Sequence, residues 1–180
     1  MWAVVFVHRD KEILQKTREE LLEMKRQGKE LQQSEWLTMC VKETLRLTFF
    51  TDFIRGVEQE FEFGGYKVKK GTVVRATGLL THFDPNTFPE PFKFDPLRWK
   101  EKTSISPDFS HFLVFGGGFH VCKGNSYALQ AVKTFLAVLV EGWELECPQD
   151  LQKVEIDFTR RRRPKHEVFI SLRKKEQQVF

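Results

Sequence analysis

Residues 115–124, which read Phe-Gly-Gly-Gly-Phe-His-Val-Cys-Lys-Gly, are the stretch best suited to carry chemistry. Three consecutive glycines cost backbone entropy, so they predict positive φ angles or a bulky group pressed against the main chain. Cys122 stands just before a predicted apolar helix, where free N–H groups and the helix dipole favour a thiolate. A thiolate can act as a nucleophile or bind a soft metal ion. His120 would point away from Cys122 in extended backbone, so we expect it to make a different contact.

Other chemistries for this stretch fail on the spacing of its residues. A phosphate-binding loop beginning at Gly117 would need Gly-Lys-Ser/Thr at positions 122–124, where the chain has Cys-Lys-Gly. A dinucleotide fingerprint beginning at Gly116 would need glycine in place of Val121. The cysteines lie too far apart for the paired ligands of a structural zinc site. Two interpretations stay open: Cys122 is the nucleophile of a thiol enzyme, or it is a small buried residue without a chemical role.

Length and composition limit the possible classes of protein. The chain has 180 residues, 41% hydrophobic and 30% charged, which predicts one domain, or part of one, over residues 1–180. The longest apolar runs, Trp2 to Val7 and Phe135 to Val140, have six residues each, whereas a membrane span needs about 20. We therefore expect no membrane anchor in this chain.

Three cysteines without an export signal favour a reducing compartment. The net charge of +4 names no partner, and the basic run Arg160 to Arg163 is interpreted as a solvated hairpin tip with no nucleic acid bound.

Hydrophobic periodicity predicts three helices that frame the chain. The first is an amphipathic surface helix from Lys11 to Gln27, closed by Gly28. The second, from Trp36 to Leu47, is mostly buried and is capped by Ser34. The third, from Ala128 to Val140, is apolar all round and is expected to lie in a protein interior.

The remaining segments alternate in the manner of strands, so the predicted fold class is α+β. A hairpin is predicted over residues 61–68 with its turn at Gly64-Gly65, followed by a strand through Val73-Val74. Residues 81–96 hold four prolines and predict an ordered, well-packed loop. The alternation of Val154, Ile156 and Phe158 with Val168, Ile170 and Leu172 predicts a final hairpin.

The glycine-rich stretch resembles the haem-binding loop of the cytochrome P-450 family of haem-thiolate monooxygenases. That loop reads Phe-x-x-Gly-x-Arg/His-x-Cys-x-Gly, and every fixed position is matched, by Phe115, Gly118, His120, Cys122 and Gly124. Four upstream segments also resemble the family: Glu43-Thr-Leu-Arg46, Arg55 with Phe63-Gly-Gly-Tyr-Lys-Val-Lys-Lys-Gly71, His82-Phe-Asp-Pro85, and Phe94-Asp-Pro-Leu-Arg-Trp99. The resemblance covers nearly the whole chain, is closest to eukaryotic members, and implies a mainly helical fold with small β-sheets.

The resemblance assigns haem as the cofactor and Cys122 as the axial thiolate ligand of its iron. Gly118 and Gly124 would let the backbone pass close under the porphyrin. Arg55 and His120 would pair with the haem propionates. Phe115, the remaining implied haem-binding residue, would pack beside the loop.

Glu43 and Arg46 stand at i and i+3 on one face of a predicted buried helix. Burying an ion pair costs several kcal/mol unless further partners are present, and Arg98 is the natural third member. The resemblance gives this network a structural role near the haem and no part in catalysis.

The implied activity is oxygen- and reductant-dependent hydroxylation of a hydrophobic organic substrate, with sterols and lipid-like molecules as candidates. Electrons would come from an NADPH-dependent reductase or another donor. The lysines expected to dock an acidic redox partner are Lys100, Lys102, Lys123 and Lys133. By the same resemblance, the full-length parent would lie on the cytosolic face of the endoplasmic reticulum membrane.

Family domains are longer than this chain and carry an oxygen-activating helix, with an acid or amide next to threonine, well before the Glu-x-x-Arg helix. Nothing in residues 1–34 resembles that helix. We therefore expect the carboxy-terminal part of such a domain, with no catalytic residue of its own and inactive by itself. The alternatives are a non-catalytic haem-binding or regulatory protein and a thiol enzyme that uses Cys122.

Overall fold

A computed structural model describes residues 1–49, 52–100, 111–157 and 163–175 of the chain. The chain divides into two compact units. The helical unit comprises residues 1–49, 94–106 and 123–180, and the strand unit comprises residues 50–93 and 107–122.

Helices and strands occur in separate runs along the chain, as is typical of an α+β protein. Helices α1 to α5 are Trp2–Arg9, Lys11–Arg26, Glu35–Thr48, Gly78–His82 and Asn125–Gly142. Strands β1 to β8 are Asp52–Gly56, Phe61–Phe63, Tyr66–Val68, Val73–Thr77, Trp143–Glu146, Ile156–Asp157, Arg163–Pro164 and Ser171–Lys174. Short 3₁₀ turns lie at Leu31–Gln33, Pro96–Trp99, Leu113–Phe115, Gly118–His120 and Leu151–Lys153. No helix in the described ranges is long and apolar enough to cross a bilayer.

The amino-terminal helices of the helical unit meet at Asp10. This residue has extended backbone, which ends α1, and its carboxylate accepts the N–H groups of Glu12 and Ile13, which begins α2. The predicted amphipathic helix is confirmed as α2, and Gly28 follows it with a φ of +64°. Helix α1 was not predicted, although its apolar residues 3–7 are all buried.

Helix α3 is the predicted buried helix. Ser34 Oγ accepts the N–H of Leu37 at 3.1 Å, as the predicted cap requires. The residues of α3 that are buried include Leu37, Cys40, Val41 and Leu47.

Helix α5 has one buried face and one exposed face. Leu136, Ala137 and Val140 are buried in the helical unit, whereas Phe135 and Val138 keep 53% and 55% of their surface exposed. The prediction that this helix lies wholly in an interior is therefore wrong for this chain, because its composition shows how apolar it is but not which partners surround it.

The carboxy-terminal strands pair differently from the predicted final hairpin. Strand β6 pairs with the short strand β7, with Ile156 opposite Pro164. Strand β8 pairs instead with β5, with Leu172 opposite Leu145. The alternation identified an extended segment but not its partner, because both runs have the same period of two. Residues 158–162, which include most of the basic run, lie outside the described part of the chain.

In the strand unit, β2 and β3 form the predicted hairpin, and Gly64 and Gly65 both have positive φ, as a two-residue turn of this kind needs. The strand predicted at Val73-Val74 is β4, which pairs with the unpredicted β1. Helix α4 then enters the predicted proline-rich loop and ends at His82.

Candidate functional site

The loop at residues 115–122 folds back on itself. The Cys122 N–H donates to the Phe115 carbonyl at 2.8 Å, and the Val121 N–H donates to the Gly118 carbonyl at 3.3 Å. A 3₁₀ turn ends at Phe115 and a second one covers Gly118–His120. These bonds place the first and last residues of the loop, Phe115 and Cys122, side by side.

Two of the three consecutive glycines have the positive φ that the sequence predicted. Gly116 has a φ of +86° and Gly118 a φ of +64°. A Cβ atom on Gly116 would also lie 3.4 Å from both the His120 carbonyl oxygen and Phe53 Cε1. The glycine at 116 thus allows strand β1 and the loop to approach each other closely.

Cys122 is an exposed free cysteine. Its thiol has no hydrogen-bond or ion-pair partner within residues 1–49, 52–100, 111–157 and 163–175. Within the same ranges no three His, Cys, Asp or Glu side chains group together as a metal site. A single accessible sulfur ligand suits a haem iron, because the porphyrin supplies the remaining in-plane ligands, whereas zinc needs three or four protein ligands.

Arg55 and His120 are both exposed side chains of the strand unit. Arg55 lies on β1, two residues after Phe53, so alternation along the strand puts both side chains on the same face. Phe53 is the residue that approaches the loop at Gly116. Arg55 Nη1 donates to the Ile54 carbonyl at 2.9 Å, and no carboxylate of a described residue is paired with it. Both side chains are available to an anionic group.

The other two residues of the motif differ in their surroundings. Phe115 is half-buried, and its ring meets Phe112 edge-on at a centroid distance of 6.3 Å. Gly124 belongs to the helical unit, where its carbonyl accepts the Ala128 N–H at 2.9 Å at the start of α5. Phe119 is fully exposed within the loop, a feature that we did not single out from the sequence, although an aromatic residue between Gly118 and His120 was a visible signal.

Glu43, Arg46 and Arg98 lie together in the helical unit. Arg46 Nε and Nη2 donate to Glu43 Oε2 and Oε1 at 2.9 and 2.8 Å. Arg98 Nε donates to Glu43 Oε1 at 3.0 Å. The side chains of Glu43 and Arg46 are fully buried and that of Arg98 is 9% exposed.

Two further donors to Glu43 were missed by the sequence analysis. Trp99 Nε1 donates to Oε2 at 3.0 Å, and the Asp95 backbone N–H donates to Oε1 at 3.1 Å. Both donors belong to the aromatic segment that begins at Phe94 and bears Arg98. That segment was therefore the feature of the sequence that could have indicated them.

One of the lysines predicted to dock a redox partner is buried. Lys133 Nζ donates to the Gln32 carbonyl at 2.8 Å and to Thr38 Oγ1 at 3.0 Å. The prediction for Lys133 is therefore wrong, because its ammonium group joins three elements of the helical unit and does not face solvent. Lys100 and Lys123 are exposed, and Lys102 lies outside the described residues.

Comparison with known proteins identifies the family. The family model described as cytochrome P-450 matches residues 1–170. Ent-kaurenoic acid oxidase 1 of Arabidopsis thaliana is 35% identical over 163 residues, which cover 82% of this chain and 33% of that protein. Sterol 14α-demethylase of Mycolicibacterium vanbaalenii is 30% identical over 166 residues, which cover 88% of this chain and 37% of that protein.

A solved structure shows the same fold. Retinoic acid bound cyanobacterial CYP120A1 superposes with a TM-score of 0.76 and 26% sequence identity, over 96% of this chain and 42% of that chain. The α+β haem-thiolate monooxygenase fold expected from the sequence is thus confirmed, and the chain belongs to the cytochrome P-450 family. It spans about a third of the length of these two curated relatives.

Proposed function

We propose that this chain supplies the thiolate side of a haem-thiolate monooxygenase, with Cys122 as the residue whose sulfur would bind the haem iron. The observation that carries the proposal is the exposed Cys122 at the end of a glycine-rich loop, with no partner for its thiol among the described residues, in a member of this family. When bound, the haem supplies the oxygen-activating chemistry, and a thiolate ligand favours cleavage of the oxygen–oxygen bond.

The chain's own residues would hold and orient the cofactor. The hydrogen bond from the Cys122 N–H to the Phe115 carbonyl fixes the backbone from which the sulfur extends. Gly118 has a positive φ and no side chain to obstruct a flat ring. Arg55 and His120 would bind the two propionates, since both are exposed and belong to the same unit as Cys122. Gly124 is assigned to the site by its place in the motif.

We propose a hydrophobic organic substrate of sterol or lipid-like type. The names of the relatives support this class, since they specify an ent-kaurenoic acid oxidase, a sterol 14α-demethylase and a protein with bound retinoic acid. Residues 1–180 would form the carboxy-terminal part of one domain. The whole enzyme would receive electrons from an NADPH-dependent reductase or a similar donor. It would lie at the cytosolic face of the endoplasmic reticulum membrane. Lys100 and Lys123 would be available to dock the donor.

The test is the spectrum of the ferrous carbon monoxide adduct. The 180-residue chain is titrated with haemin, reduced and exposed to carbon monoxide, in parallel with Cys122→His and the matched control Cys147→Ser. We expect the red-shifted Soret band of thiolate ligation in the unaltered chain and in Cys147→Ser, and its loss in Cys122→His. Survival of that band in Cys122→His would show that another residue is the ligand.

The same exposed thiol also suits the thiol enzyme considered from the sequence. Such an enzyme would turn over without haem and would lose its activity when Cys122 is alkylated. A non-catalytic haem-binding protein would show the thiolate band but no oxygen-dependent product when joined to the remainder of the domain. Product analysis with and without haem therefore separates the three functions.

A further inference from the structure

His82, at the end of α4, is a fully buried histidine outside the residues implied to bind haem. Phe112 stacks on its ring at a centroid distance of 6.1 Å, and Phe88 meets it edge-on at 6.3 Å. The backbone N–H of Leu113 donates to His82 Nε2 at 3.1 Å. Because Nε2 accepts this bond it carries no proton, so His82 is a neutral imidazole with its proton on Nδ1.

The Leu113 N–H has no acceptor within its own turn. Leu113 begins the 3₁₀ turn Leu113–Phe115, and the first N–H groups of a helical turn always lack an intrahelical partner. Phe112, which precedes the turn, offers no side-chain cap. His82 Nε2 therefore supplies the missing acceptor and fixes where the turn begins.

The same turn leads directly to the cysteine loop. Its last residue, Phe115, accepts the Cys122 N–H at 2.8 Å through its carbonyl oxygen. The Phe115 ring also meets Phe112, which stacks on His82. A shift of the turn would therefore move the acceptor to which the backbone of Cys122 is tied.

We propose that His82 is a positioning residue for the Cys122 loop: its buried imidazole anchors the Leu113–Phe115 turn and so holds Cys122 in one orientation. The consequence for haem rests on the proposed function, because it requires Cys122 to be the iron ligand. Residues that orient a metal ligand commonly change metal affinity by tenfold or more when they are replaced.

Three substitutions of His82 separate the hydrogen bond from the volume of the ring. In His82→Gln, the side-chain Oε1 stands as many bonds from Cβ as Nε2 does and can accept the Leu113 N–H. In His82→Asn the oxygen is one bond closer to Cβ, and in His82→Leu no acceptor remains. Amide hydrogen exchange of the 180-residue chain, read by NMR at Leu113 and Cys122, measures how firmly the loop is held.

We expect exchange at both amides to rise about tenfold in His82→Leu and His82→Asn, because a partly buried donor loses its acceptor. His82→Gln should stay within about threefold of the unaltered chain. The β1 and β4 amides report the stability of the strand unit in each variant. If His82→Leu unfolds that unit, the proposal is tested by comparing the Gln and Asn variants. Equal protection of the Cys122 amide in these two variants would overturn it.

Haemin titration provides the second measurement. The Leu and Asn variants should bind haemin about tenfold more weakly than the Gln variant, and equal affinities would contradict a positioning role for His82 at the haem. If the unaltered chain shows no thiolate band, the proposed function fails, whereas the exchange pattern still decides whether His82 holds the loop.

Discussion

The Glu43 side chain lies at a place from which solvent is excluded. Five N–H donors of described residues converge on its carboxylate, contributed by the side chains of Arg46, Arg98 and Trp99 and by the Asp95 backbone. The cost of desolvating a buried ion pair is offset only when such further hydrogen bonds satisfy both partners. The arrangement supports a role in holding α3 to the Pro96–Trp99 turn.

Replacing Glu43 with Gln preserves the side-chain volume but removes the charge that Arg46 and Arg98 share. We expect the free energy of unfolding to fall by about 3–5 kcal/mol, because two buried guanidinium groups lose the negative charge of Glu43. Urea unfolding of the chain measures this change. The control is Glu35→Gln, an exposed residue of the same helix, which should alter the value by less than about 0.5 kcal/mol.

A double-mutant cycle tests whether Glu43 and Arg98 act as one network. Combining Glu43→Gln with Arg98→Leu should cost less than the sum of the single changes, by more than about 1 kcal/mol, since the two residues share hydrogen bonds. Additive effects below about 1 kcal/mol each would mean that the charges are independent.

Sequence predicted part of this network and could not predict the rest. The i, i+3 spacing of Glu43 and Arg46 on an apolar helix was sufficient for a buried pair, and the need for more partners pointed to Arg98. Trp99 and the Asp95 N–H reach Glu43 because of the path of the Pro96–Trp99 turn, which depends on tertiary packing.

Cys40 and Cys122 should differ sharply in reactivity. Burial raises the pKa of the Cys40 thiol, so at neutral pH it stays protonated and inaccessible. Cys122 is exposed and should be alkylated by iodoacetamide at least about tenfold faster than Cys40, as measured by peptide mass spectrometry. Unfolding in urea should abolish the difference. Protection of Cys40 that persists in urea would contradict burial as the cause.

Helix α5 is joined to its neighbours through a buried lysine. Lys133 stands three, four and seven residues before Leu136, Ala137 and Val140, all of which are buried, so helical spacing places it on the inner face. The helical spacing between Lys133 and these apolar residues was visible in the sequence. Proximity to Cys122 along the chain suggested a docking surface instead, and distance along the chain does not determine the face of a helix.

Replacing Lys133 with Met should lower the free energy of unfolding by about 1–3 kcal/mol at neutral pH, since the Gln32 carbonyl and the Thr38 hydroxyl lose a buried partner. Lys123→Met, an exposed position in the same unit, is the control and should change it by less than about 0.5 kcal/mol. An equal effect of both substitutions would contradict the burial of Lys133.

The effect of Lys133→Met on the free energy of unfolding should also depend on pH. Desolvation by burial lowers the pKa of Lys133, an effect that the nearby Glu20 carboxylate partly offsets. Between this lowered pKa and the ordinary pKa of lysine, the unfolded chain binds more protons than the folded chain, so the stability contribution of Lys133 rises with pH. The stability difference between the unaltered chain and Lys133→Met should widen as pH rises through that window, measured by urea unfolding. A difference that narrows would contradict the direction of the shift.

The predictions for individual elements succeeded where local signals suffice. The end of α2 before Gly28, the Ser34 cap of α3 and the Gly64-Gly65 turn depend on residues within a few positions of each other. The pairing of β8 with β5 and of β4 with β1 joins distant segments, and several strands with the same alternation compete for each partner. Sequence spacing alone does not determine which strands pair with each other.

Helix α5 presents an exposed apolar face to solvent. Tyr127, Phe135 and Val138 stand 53–80% exposed on this helix, whereas scattered single apolar residues are the norm on protein surfaces. Replacing Phe135 and Val138 together by Ser should lower aggregation of the chain, measured by light scattering against concentration. Leu22→Ser, a single exposed apolar residue on α2, is the control and should have little effect. Equal aggregation of all three proteins would exclude this face as the cause.

The 180-residue chain should not turn over substrate by itself. A haem-thiolate centre needs walls on both sides of the haem, so that the oxygen-binding side stays dry and receives protons in order. The loop at Cys122 would supply the thiolate side under the proposed function, whereas residues 1–34, which include α1 and α2, contain no acid or amide next to threonine. We expect the chain with added haemin to consume reductant without forming hydroxylated product, as measured by mass spectrometry of a sterol or similar substrate under oxygen. Product formation should begin only when the amino-terminal two-thirds of a related domain is supplied. Substrate-specific, oxygen-dependent turnover by this chain without that piece would overturn the prediction.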